Sequence, residues 1–146
     1  MDKTCSDARA ALEGVVRDGM TILAGGFVAG LIFGGNWDSR DFYVWDHEGK
    51  LLRKVPNSTG NSFQDLKFHG GKLVGSGTLA DGQAVIDWLE LPDFRPVRRL
   101  TAGKTDTGAP MTREGMTLWG DEIWFLPEDG ASRLFQFDLP PSFKKF

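Results

Sequence analysis

Residues 121–138 read Asp-Glu-Ile-Trp-Phe-Leu-Pro-Glu-Asp-Gly-Ala-Ser-Arg-Leu-Phe-Gln-Phe-Asp. Two short aromatic-rich segments flank a polar turn, the pattern of a strand hairpin. The same theme occurs twice upstream, as IFGGNWDSRDFYVWDHEGKLLRKV (32–55) and KLVGSGTLADGQAVIDWLELPDFRPVRRL (72–100). A meander of strands and turns repeated along a chain is the unit of a β-propeller blade. One blade cannot bury both its faces, so blades must stack.

Working outward, strands are expected at Ile32–Trp37, Phe42–Asp46 and Leu51–Val55, with His47-Glu48-Gly49-Lys50 as the hairpin turn between the last two. Phe63–Phe68, Lys72–Leu79, Ala84–Leu91 and Val97–Thr101 form a full blade, punctuated by His69-Gly70-Gly71 and Asp81-Gly82. Gly115–Trp119, Ile123–Pro127 and Leu134–Leu139 form a third unit that lacks its last strand. At about 40–50 residues per blade, residues 28–146 hold about two and a half. The fold expected is mainly β, a partial β-propeller with a short N-terminal helix–strand segment.

That segment is residues 1–27. Ala8, Ala11, Leu12, Val15 and Val16 make one apolar helical stripe, capped by Thr4 or Ser6 and ended by Asp18-Gly19. Met20–Ala24 reads as a buried strand running into a glycine turn at Gly25-Gly26-Phe27. The domains expected are therefore 1–27 and 28–146.

Composition narrows the function. The 146 residues carry a net charge of −3, against a general nucleic-acid role. Cys5 is the single cysteine and His47 and His69 the only histidines, which excludes an internal disulfide and gives no multi-histidine metal centre. No run of about 18 apolar residues suggests a membrane span. Asp2, Asp7 and Glu13 stand where a signal peptide would be basic and then apolar, so the chain as written reads as cytoplasmic. Asn57-Ser58-Thr59 fits a glycosylation acceptor, but such triplets occur often by chance and a plain turn is the preferred reading.

Two family resemblances follow. Asp18-Gly19-Met20-Thr21-Ile22-Leu23-Ala24-Gly25-Gly26-Phe27 resembles the start of the α subunit of 3-oxoacid coenzyme A transferases. In that family a second glycine turn and a proline follow and help shape the coenzyme A site. Here Val28-Ala29-Gly30 follows without the proline, and the family's catalytic glutamate belongs to a part of the enzyme this chain does not contain. The segment reads as a borrowed start, from fusion or truncation. The alternative function it implies is transfer of coenzyme A between succinyl-CoA and a 3-oxoacid. Residues 36–46, 63–65, 111–113 and 125–132 resemble, in order and spacing, the C-terminal section of an uncharacterised bacterial family of propeller-like proteins, many of them exported. That resemblance implies a fold and no known activity.

The candidate site follows from blade geometry. Strands alternate in direction, so the loop between the second and third strands and the loop to the next blade share one face. Asn36, Trp37, Asp38 and Arg40 fall on one such loop, and Glu128 and Asp129 on another. Gln64, Asp65, Arg113 and Glu114 fall near the starts of innermost strands. Clustered carboxylates could hold a hard cation, and the arginines could clamp an anion. The first reading of the same residues is as local turns or as ion pairs bracing neighbouring blades, with ligand binding second and catalysis last. No catalytic residue, metal or cofactor is assigned. His69 lacks a visible partner, and Gly75-Ser76-Gly77 lacks the helix a dinucleotide site needs. Trp45, Trp88, Trp119 and Trp124 are expected to pack between blades. The function expected is a non-catalytic ligand- or partner-binding module, or a fragment without independent activity. Its partner is a small molecule or a protein, and its open blade edges favour self-association.

Overall fold

The computed structural model describes residues 25–28, 30–35, 40–130 and 133–144. The helix expected at residues 6–17, the strand at 20–24, and Asn36, Trp37 and Asp38 of the candidate site lie outside them.

The chain forms three antiparallel sheets, each a simple meander. The first is β1 (Gly25–Val28), β2 (Leu31–Gly35), β3 (Asp41–Asp46) and β4 (Leu51–Pro56). The second is β5 (Ser62–His69), β6 (Lys72–Thr78), β7 (Ala84–Glu90) and β8 (Arg95–Thr101). The third has three strands, β9 (Glu114–Trp119), β10 (Glu122–Pro127) and β11 (Phe135–Asp138), followed by a short 3-10 turn, Pro141–Phe143. β1 packs beside β5 and β5 beside β9, so the first strand of each sheet lines a common inner side. This is a partial propeller of three blades, the third lacking an outer strand among the described residues.

The first blade is complete where the sequence suggested three strands. Gly25-Gly26-Phe27 is part of β1 and pairs with β2 through Gly25↔Phe33 and Phe27↔Ile32, with a bulge between them. Four residues with two glycines carry no strand signal of their own; the ladder to β2 supplies it. β1 runs across position 27. The His69-Gly70-Gly71-Lys72 hairpin has the expected register, His69↔Lys72. Gly70 and Gly71 both take positive φ, the geometry of a tight hairpin turn that follows the strand twist.

Two cores hold the blades together. Between the first and second lie Phe33, Phe42, Val44, Phe63, Leu66, Leu73, Leu89 and Phe94. Phe94 reaches in from the β7–β8 loop and stacks on Phe42, with centroids 4.4 Å apart and planes 4° off parallel. Its backbone is left-handed, φ 54°, which is costly for a bulky residue and is offset by burying the ring. Between the second and third blades lie Val74, Ile86, Trp88, Met111, Met116, Ile123, Phe125 and Leu139. The second blade is thus buried on both faces, which explains why β7 is buried along its length and apolar but for Asp87.

Gly75 and Gly77 let this blade close. A methyl group on Gly77 would sit 2.1 Å from the Ser62 carbonyl oxygen and 2.3 Å from Asn61 Oδ1, and one on Gly75 would sit 2.5 Å from the Phe63 ring. Gly75-Ser76-Gly77 is therefore a close-approach element of the sheet.

The tryptophans divide. Trp88 is fully buried and packs on Phe143 at 4.9 Å. Trp119, expected between blades, is 78% exposed. Trp124 is half-buried, its indole N–H donating to Glu122 at 3.2 Å. Both stand on the side of the third blade that faces away from the second. Trp119 pairs with Glu122 and Trp124 with Thr117, in register opposite to the core pairs Ile123↔Leu118 and Phe125↔Met116.

Candidate functional site

The loops β2–β3, β4–β5, β6–β7, β8–β9 and β10–β11 leave the sheets on one face, and the structure ties several of them together. The Asn57 N–H donates to the Arg40 carbonyl at 2.8 Å, joining the first two. The Thr112 hydroxyl donates to the Gly77 carbonyl at 2.5 Å, anchoring the β8–β9 loop on the end of β6. The Glu128 N–H donates to the Arg113 carbonyl at 3.1 Å, joining the last two. Their side chains also pair, Arg113 Nε to Glu128 Oε2 at 3.4 Å, with both more than half exposed.

Arg133 makes the strongest tie. Its guanidinium reaches Asp129 at 2.7 Å within its own loop and Asp106 at 2.5 Å on the β8–β9 loop. The hydrogen bonds it donates to Asp106, and then to Asp129, hold the Arg133 guanidinium above its usual range. The Asp106 carboxyl is held below its usual range, first by the hydrogen bond from Arg133. A lowered carboxyl value means the tie is complete above the ordinary aspartate range and is lost only as the pH falls through the lowered value. Both partners lie at the surface, so the tie orders the loops more than it stabilises the fold.

The candidate residues separate accordingly. Arg113, Glu114, Glu128 and Asp129 gather at the third blade. Asp129 is spent, its side chain fully buried and gripped by Arg133. Glu114 opens β9 with an exposed side chain and φ 146°, a region non-glycine residues rarely enter. Arg40 lies on an exposed bend beside the first blade. Gln64 is half-buried at a bulge between Phe63 and Asp65. Asp65 braces two blades. Its Oδ2 accepts the Met116 N–H of β9 at 2.9 Å, while Oδ1 accepts the Leu66 N–H and the Lys67 ammonium, each at 2.9 Å. Among the described residues no group of three or more His, Cys, Asp or Glu side chains converges to hold a metal ion. No helix among them is long and apolar enough to cross a membrane.

A second polar cluster was not foreseen. Asp87, in the middle of β7, is fully buried. It accepts from Arg99 Nε at 2.7 Å and Nη2 at 2.9 Å, and from Asn61 Nδ2 at 3.0 Å. Arg99 Nη2 also donates to the Thr59 carbonyl at 2.8 Å, so the guanidinium pins the β4–β5 loop to the second blade. One signal was visible in the sequence, a lone carboxylate inside Ala84-Val85-Ile86-Asp87-Trp88-Leu89. A charge in a buried strand requires a partner.

Comparison with known proteins places the chain in no family: no family model matches it, and no curated protein does. The coenzyme A transferase resemblance of the N-terminal segment gains no support there. Among solved structures, a protein of unknown function from Bacteroides caccae aligns over 86% of this chain and 48% of its own, with 11% identity and a TM-score of 0.48. BamB from Moraxella catarrhalis aligns over 82% and 54%, with 12% identity and a TM-score of 0.38. The dihydro-heme d1 dehydrogenase NirN aligns over 80% and 28%, with 17% identity and a TM-score of 0.35. The chain spans about half the length of the first two of these and 28% of the third. The fold assignment rests on the order and pairing of the chain's own strands.

Proposed function

We propose that this chain is a propeller-type binding module that takes a ligand or partner on its loop face. The carrying observation is the set of cross-loop ties, which holds Arg113 and Glu128 side by side and exposed on an ordered rim. A guanidinium next to a carboxylate on a preordered surface suits a ligand bearing both an anionic group and a hydrogen-bond donor. Glu114, on a backbone held outside its usual range, widens the polar surface at the same end of the blade.

Arg113→Ala and Glu128→Ala are expected to leave stability within about 0.5 kcal/mol of the parent, because both side chains are solvent-exposed. Each should abolish the chemical-shift changes that amino-acid-like and carboxylate ligands produce at residues 113 and 128 of the full chain. Undiminished binding in both variants, or no ligand-dependent shifts at this rim in the parent, refutes the reading.

Self-association is a second element, favoured by the outer side of the third blade. Trp119, Leu126 and Leu134 are all exposed there, beside a groove of about 320 Å³ bordered by Trp124, Met116 and Lys67. Adjacent apolar side chains of this size drive association. Sedimentation should show a concentration-dependent rise in mass that Trp119→Ser with Leu134→Ser weakens. A concentration-independent monomer at about 100 μM sinks it.

A further inference from the structure

The outer edge of the third blade has a partner written into the other two blades. Among the described residues β11 pairs with β10 alone. The equivalent third strands, β3 and β7, are each covered by a fourth strand, and those two strands share a composition. β4 is Leu-Leu-Arg-Lys-Val-Pro and β8 is Arg-Pro-Val-Arg-Arg-Leu-Thr, apolar residues mixed with cations. The cations meet carboxylates on the third strand. Lys54 pairs with Asp41 at 2.9 Å, Arg99 with Asp87 at 2.7 Å, and Arg95 with Glu90. The apolar residues reach the cores: Val55 packs on the first, and Val97 and Leu100 on the second.

β11 offers both halves of this pattern. Phe135 and Phe137 share the core side with Phe125 and Ile123, and Gln136 shares the open side with Trp124, as Asp138 does with Glu122. On that open side Gln136 is bonded to the Glu122 carboxylate at 2.6 Å, and Asp138 is exposed. Beneath the edge lies an apolar cavity of about 180 Å³ lined by Ile86, Leu100, Ile123, Phe125 and Phe137. After Leu139 the described residues turn away from this edge. Its 3-10 turn lays Phe143 on Trp88, and Arg98 bonds the Ser142 carbonyl.

We infer that the β11 edge is a strand-addition site for an extended segment of a second polypeptide, one with alternating apolar and basic residues. The backbone of the incoming strand completes the ladder. Its apolar side chains enter the cavity beside Phe137, and its cations face Asp138 and Glu122 across the open side. This site is separate from the loop face and stands or falls independently of it.

The test uses the full chain and a labelled synthetic peptide of residues 49–57, which carries the β4 pattern. A control peptide has Lys50, Arg53 and Lys54 replaced by Glu. The basic peptide should bind at least about tenfold tighter than the acidic one, and should slow amide exchange at residues 135–138. Asp138→Lys should erase that preference, and Asp138→Asn should reduce it without reversing charge. Equal binding of both peptides, binding of neither, or protection confined to residues other than 135–138 overturns the inference. Protection of 135–138 without peptide that grows with protein concentration assigns the edge to a second copy of this chain and overturns it too.

Discussion

Trp88→Ala is expected to destabilise the fold by about 3–5 kcal/mol, read as a fall in the urea midpoint at unchanged slope. Trp88 is 0% exposed in β7, one of the two central strands of the second blade. It belongs to one core with Val74, Ile86, Met111, Met116, Ile123 and Phe125, and it supplies the surface on which Phe143 rests. Truncation therefore opens a cavity in the core and also releases the C-terminal turn. Trp119→Ala is the matched control. That side chain removes little apolar area from water in the folded state, so its loss should change stability by less than about 0.5 kcal/mol. Equal effects of the two substitutions would mean that the blade faces are assigned the wrong way round.

The contrast between these two tryptophans also shows what a sequence can carry. Trp88 sits in Ala84-Val85-Ile86-Asp87-Trp88-Leu89, a run apolar but for Asp87, and such a run in a strand signals burial on both faces. Trp119 sits in Gly115-Met116-Thr117-Leu118-Trp119, where alternation marks two faces and does not say which is covered. Strand order and hairpins were legible because turns such as His69-Gly70-Gly71 and Asp81-Gly82 have local chemistry. β1 was not, because its identity comes from a ladder to β2 and not from its own four residues. The candidate site was legible as a set of loops on one face. Which of its charges are already engaged was not. Asp129 and Asp65 look as available in the sequence as Glu128 does. Asp129 is taken up by Arg133, and Asp65 by a backbone N–H of the neighbouring blade. Arg133 and Asp106 lie 27 residues apart, so no local pattern links them.

Arg99→Met is expected to cost about 2–4 kcal/mol, chiefly because of what it leaves behind. Asp87 would remain fully buried with only the Asn61 amide donating to it, and a buried carboxylate short of partners is far more costly than an absent ion pair. The lower part of the range applies because the Arg99 side chain is itself 35% exposed, so part of its attraction is already screened by water. Arg99→Lys should recover only a fraction. An ammonium is one point charge, whereas the guanidinium engages both Asp87 oxygens and the Thr59 carbonyl together. The loss should also reach the β4–β5 loop, with faster amide exchange at Thr59 and Asn61. The double variant Asp87→Leu with Arg99→Met separates the two contributions. If the penalty lies in the stranded charge, the double variant is more stable than Arg99→Met alone, while exchange at Thr59 stays fast because its carbonyl has still lost the guanidinium. If Arg99→Met alone is as stable as the parent, Asp87 is not held by this pair, and the second blade is closed by its apolar residues alone.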